Sequence, residues 1–159
     1  MTRYSYFFSV AFVLLLMSQL FMAYRTAQIE SPLYEVIKSF EKFEIRNYNA
    51  MVLAQTQMNS NLYKESSSMG FKTVANYIFG GNKENQKIAM TSPVIMEIGE
   101  ISKMSFVMPK EHSFDNLPKP NSENVELIQV QPKTYAVLAF TGFANDKKIE
   151  RHSKRLLQF

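Results

Sequence analysis

One stretch of this sequence occurs twice, and that repetition limits the folds open to it. Met51-Val52-Leu53-Ala54 returns as Ala136-Val137-Leu138-Ala139 at an offset of 85 residues, and Thr56 returns as Thr141 at the same offset. Each copy is preceded by a second run of strand character. KFEIRNY leads through Asn49 into AMVLAQTQM, and VELIQVQ leads through Pro132-Lys133 into TYAVLAFTG. Alternation in the first run puts Phe43, Ile45 and Asn47 on one face, with Glu44, Arg46 and Tyr48 on the other. LYEVIKSF supplies a further strand ahead of them.

Each copy is also followed by a helix. Phe71, Val74, Ala75 and Ile78 fall at i, i+3, i+4 and i+7, one apolar helix face, which stops at Gly80-Gly81-Asn82 where positive φ is cheap. A second helix starts at the N-cap residues Asn145-Asp146, with Ile149, His152, Leu156 and Leu157 on its inner face. Two strand–turn–strand–helix units in one small domain imply a pseudo-twofold α+β architecture. The first unit continues into KIAMTSPVIMEI and KMSFVMP, two more strands, whereas the second is still in its helix at Phe159. The second repeat is therefore expected to be incomplete, truncated at the C-terminus, with an unpaired sheet edge.

Ahead of the repeat, Tyr6 to Tyr24 reads YFFSVAFVLLLMSQLFMAY, without a charge, between Arg3 and Arg25. As a helix at ~1.5 Å per residue this run approaches the ~30 Å of a bilayer core. Residues 1–29 read as a signal peptide or a transmembrane signal anchor, and residues 30–159 as the folded domain. Cleavage after Ala23 or Ala27 would place Phe21 or Arg25 at position −3, which favours an uncleaved anchor. One Arg on each side leaves orientation unassigned by charge. The expected location is membrane-anchored with an exported domain, or secreted after cleavage.

Composition removes several functions. No cysteine means no disulfide, no thiolate metal site and no Cys nucleophile. His112 and His152 are the only histidines, too few for a multi-histidine zinc site. The net charge of +4 is spread without a run of five Lys or Arg, which argues against a nucleic-acid partner. Gly80-Gly81-Asn82-Lys83 follows a helix instead of opening one and lacks the phosphate-loop spacing. Ser66-Ser67-Ser68 has no His–acid signature beside it, so no catalytic set can be named and a non-enzymatic domain is expected.

YIFGGNKENQKIAMTSPV, from Tyr77 to Val94, resembles the signature of the SOUL heme-binding protein family. YEVIKSFEKFEIRNYNAMVLAQT upstream, and SFVMPKE and YAVLAFTGFAND downstream, resemble the same family, so the likeness runs over about residues 32 to 159. The resemblance implies a distorted β-barrel flanked by two helices, and binding of heme or a related tetrapyrrole. The resemblance implies no catalytic constellation common to the family's members. A porphyrin needs an apolar wall and cations for its propionates. The first helix offers Phe71, Val74, Ala75 and Ile78, with Met69 nearby and Lys64 and Lys72 flanking. The same face also suits an ordinary core helix, and both readings stand. His152 is half-buried by its spacing, a structural histidine or a ligand; Met90 and the tyrosines are residue types that can ligate iron. The alternative function is a protein-interaction domain, or one binding another apolar small molecule.

Overall fold

The structure, a computed structural model, describes residues 2–27, 29–58 and 63–159. It divides into two units, residues 1–30 and 31–159. The first is a single helix, α1 (Thr2–Ala27). Among the described residues no helix is long and apolar enough to cross a membrane.

The second unit is α+β. Its elements are β1 (Tyr34–Ser39), β2 (Glu44–Tyr48), β3 (Met51–Gln57), α2 (Tyr63–Ile78), β4 (Val94–Glu97), β5 (Lys103–Val107), a 3₁₀ turn (Phe114–Asn116), β6 (Glu126–Val130), β7 (Lys133–Val137) and α3 (Asp146–Leu156). Two antiparallel sheets form, in the orders β4-β5-β3-β6 and β1-β2-β7. They do not close into a barrel, contrary to the shape the resemblance implies, because each sheet keeps two open edges. The repeat is visible in the pairing. β2 of the first unit lies against β7 of the second, from Glu44↔Val137 to Tyr48↔Lys133. Its symmetric counterpart joins β6 to β3, from Met51↔Val130 to Gln55↔Glu126.

The core lies between α2 and the four-stranded sheet. Val74, Ala75 and Ile78 of α2 meet Ala54 of β3 and Met104 and Phe106 of β5, all buried. Each fully buried aliphatic or aromatic side chain of this size contributes about 1.5–3 kcal/mol. Gly70 lets the helix approach, since a Cβ there would sit 3.3 Å from both Met104 and Met58. Behind the apolar layer, Gln55 Nε2 donates to Ser105 Oγ at 2.9 Å.

α2 ends where the sequence predicts. Gly80 takes φ +108°. Gly81 packs so closely that a Cβ would lie 2.6 Å from the Asn76 carbonyl oxygen. Asn82, almost fully buried, ties the turn together: its Nδ2 donates to Tyr77 O and Gln86 O, and its Oδ1 accepts from Gln86 N. Tyr77 Oη donates to Pro118 O at 2.9 Å, and burial followed by the charge of Glu84 pushes its pKa up to about 12.

The three-stranded sheet is built differently. Glu44, Arg46 and Tyr48 share one face as the alternation predicts: Arg46 Nε donates to Glu44 Oε2 at 2.8 Å, and its guanidinium covers the Tyr34 ring at 4.4 Å. Nothing in β1 or β2 is fully buried. α3 is capped by Asn145, whose side chain accepts from Lys148 N, yet it too buries no residue completely. Leu157 stands exposed past the helix end and so leaves the inner face assigned to it. The TYAVLAFTG strand is also shorter than its pattern suggests and stops at Val137, where β2 runs out of partners.

Candidate ligand-binding site

Cross-strand pairing of β4 and β5 places Met96 directly opposite Met104 and Val94 opposite Phe106. α2 lies over β3 and β5, and between the helix and the β4–β5 pair opens a cleft of about 390 Å³. The helix lines it with Tyr63, Ser67, Ser68, Phe71 and Lys72, and the strands with Val94, Met96 and Met104. Phe71 is held against Phe106, with ring centroids 5.2 Å apart, which leaves one side of its ring towards the cleft. Thioethers and aromatic rings give a polarizable apolar wall, while one ammonium and three hydroxyls, those of Tyr63, Ser67 and Ser68, supply a polar fringe.

The residues expected from the sequence separate here. Phe71 and Lys72 line the cleft. Val74, Ala75 and Ile78 do not: they are buried in the core, because a helix seated on a sheet turns its most apolar stripe inward. Met69 is exposed and outside the lining, and the Lys64 side chain lies outside the described residues. His152 sits on α3, away from the cleft, stacked parallel on Phe140 with centroids 4.6 Å apart. Its Nδ1 is shielded from solvent and has no hydrogen-bond partner. Burial, followed by the charges of Arg151, Lys148 and Arg155, holds this imidazole below its ordinary pKa.

Sequence reasoning missed Tyr63, Ser67, Ser68, Val94, Met96 and Met104. A signal existed for the serines, since Ser67, Ser68, Phe71 and Lys72 make a stripe at i, i+1, i+4 and i+5 beside the core face. The methionines gave none, because their meeting depends on the β4–β5 register.

A flat apolar macrocycle with two carboxylates matches this donor set. Phe71, Met96 and Met104 would lie against its rings, and Lys72 would hold a carboxylate. Tyr63, Met96 and Met104 are the lining residues of iron-ligating type, and neither histidine lines the cleft. At about 390 Å³ the cleft is at the small end for a drug-sized ligand, so one edge of a macrocycle would stay in solvent. Among the described residues no cluster of three or more His, Asp or Glu is placed to hold a bare metal ion.

Tyr63 has one more contact. Its backbone N–H donates to Asp146 Oδ1 at 2.6 Å, joining the first turn of α2 to the first turn of α3.

Comparison with known proteins assigns the chain to a family. The SOUL heme-binding protein family matches residues 29–159. Human heme-binding protein 2 is 30% identical over 114 residues, covering 67% of this chain and 55% of that protein. Mouse heme-binding protein 2 is 27% identical over the same length, with the same shares. Heme-binding protein 1 of Xenopus laevis is 23% identical over 122 residues, covering 72% of this chain and 64% of its own. The chain thus spans a little over half the length of the relatives it matches. On the strength of a family match across its whole folded unit, this chain belongs to the SOUL heme-binding protein family.

Proposed function

We propose that residues 31–159 bind heme or a related tetrapyrrole in the cleft between α2 and β4–β5, without acting on it chemically, and serve in its buffering or transfer at a membrane. The observation that carries this reading is the cleft: an apolar wall of Phe71, Met96 and Met104 with Lys72 at its fringe, in a member of a heme-binding family. Burying roughly 400 Å² of macrocycle contributes ~10 kcal/mol gross, and association removes half or more. The ~5 kcal/mol that remains corresponds to a Kd of about 0.2 mM, so tighter binding draws on the Lys72–carboxylate contact as well. Heme, when bound, supplies its own iron chemistry; the chain supplies the wall, the cation and partial exclusion of water.

Titration with hemin tests it through the Soret band. Phe71→Ala is expected to weaken binding about tenfold or more through lost apolar contact. Lys72→Glu is expected to weaken it about tenfold for hemin and to have little effect on a porphyrin lacking carboxylates. His152→Ala is expected to leave the band unchanged, since its ring lies away from the cleft. A band abolished by His152→Ala, or saturation unaffected by both cleft changes, would reject this site.

Membrane attachment belongs to the same proposal. The 26 helical residues of α1 would extend ~39 Å, and the uncharged run from Tyr6 to Tyr24 supports insertion as a signal anchor, with the folded unit exported. Release of the chain from membranes by alkaline carbonate would reject anchorage.

A further inference from the structure

The cleft offers iron a narrow choice of partners. Both histidines lie elsewhere: His152 is on α3, and His112 is in the loop after β5, with its Nε2 3.6 Å from the Glu111 carboxylate. Among the described residues the side chains of iron-ligating type in the lining are the thioethers of Met96 and Met104 and the phenol of Tyr63. No carboxylate lines the cleft among them.

Packing separates the three. Met104 is 2% exposed, and its Sδ lies 3.4 Å from where a Cβ on Gly70 would stand, so this sulfur is held against the backbone of α2. Met96 is its cross-strand partner on β4, but remains only half-buried in the cleft wall. Tyr63 opens α2, about 10 Å along the helix axis from Gly70, and so stands away from the methionine pair on which Gly70 packs. Of the two sulfurs, that of Met96 is the one left for a ligand.

We propose that the Met96 thioether is the protein ligand for heme iron in this cleft, and that it makes the cleft selective for the ferrous state. The proposal rests on the reading that heme occupies the cleft. A thioether is neutral and soft, and as an axial ligand it raises the reduction potential of heme. Charge acts in the same direction. Ferric iron carries one more positive charge than ferrous, and the lining meets it with the Lys72 ammonium and no anion. By linkage, each tenfold preference for the ferrous state raises the midpoint potential of the bound group by about 59 mV. The hold of the cleft on heme is thereby set by the oxidation state of the iron.

The test uses the full chain in mild detergent, titrated without oxygen with ferric hemin, with the same heme reduced by dithionite, and with iron-free protoporphyrin. Ferrous heme is expected to bind at least tenfold tighter than ferric. Met96→Leu keeps the volume of the wall. It is expected to lower ferrous affinity at least tenfold and iron-free affinity by no more than two- to threefold, with the midpoint potential falling by about 59 mV or more. Met96→His is expected to restore ferric binding at a potential below that of the unaltered chain. Equal affinity for the two oxidation states overturns the proposal. So does a ferrous preference that survives Met96→Leu, including one lost in Tyr63→Phe instead; in both cases iron-free porphyrin still binds and the cleft keeps its occupant. Iron-free binding that Phe71→Ala does not weaken removes the occupant from the cleft, and both readings fall together.

Discussion

The two halves of the folded unit start from the same pattern and end in different states. In the first, α2 lies on β3 and β5, and Val74, Ile78, Ala54, Met104 and Phe106 are buried together. In the second, α3 and β7 stand in the equivalent places, yet α3 has no fully buried residue and β7 is mostly exposed. The difference is the hairpin. β4 and β5 give α2 something to lie on and give the second half of β3 a hydrogen-bonding partner. Amphipathic pattern creates a face, but stability comes only from what the face meets.

This contrast predicts unequal costs for equal changes. Ile78→Ala is expected to destabilise by about 2–5 kcal/mol, as a buried truncation does. Ile149→Ala on α3 is expected to cost less than ~1 kcal/mol in the same denaturant titration, because its site is half solvated. Equal losses would show that α3 is as firmly packed as α2. Gly81→Ala follows, at about 1–3 kcal/mol, since the new methyl has no room beside Asn76. Tyr77→Phe, which leaves the Pro118 carbonyl without its donor, is expected to cost about 1–2 kcal/mol.

The smallest effect is one of acidity. His152 is held below its ordinary value of 6.5, so the folded chain takes up its proton less readily than the unfolded chain. Its contribution to stability is present above pH 6.5 and is lost as pH falls from there toward the lower folded value. His152→Leu is expected to flatten that limb of the stability curve. An unchanged slope would show that the shielded Nδ1 has little energetic weight.

Much of this was legible in the sequence, for reasons the residues make plain. Local signals were sufficient for α2: its apolar stripe, its glycine stop and the buried Asn82 all act within a few positions of one another. The repeat gave the pairing logic, and β2–β7 with β6–β3 follow from it. The β7 pattern was readable but overextended, since a strand persists only as far as its partner does. Phe71 and Lys72 line the cleft, while Val74, Ala75 and Ile78 turned inward, because periodicity finds the most apolar stripe and not the stripe beside it. Met96 is the third residue of β4 and Met104 the second of β5, and only strand register brings them together.

The hydrogen bond from Tyr63 N–H to Asp146 Oδ1 bears on both halves at once. Asp146 opens α3, and Tyr63 is part of the cleft lining, so a single carboxylate spans the distance between the half that is packed and the half that is open. Its negative charge also lies at the positive end of two helix dipoles. Order gained at the start of α3 is thereby thermodynamically linked to order at the mouth of the cleft, with equal strength in both directions. Replacement of this one side chain by alanine uncouples them without touching either surface.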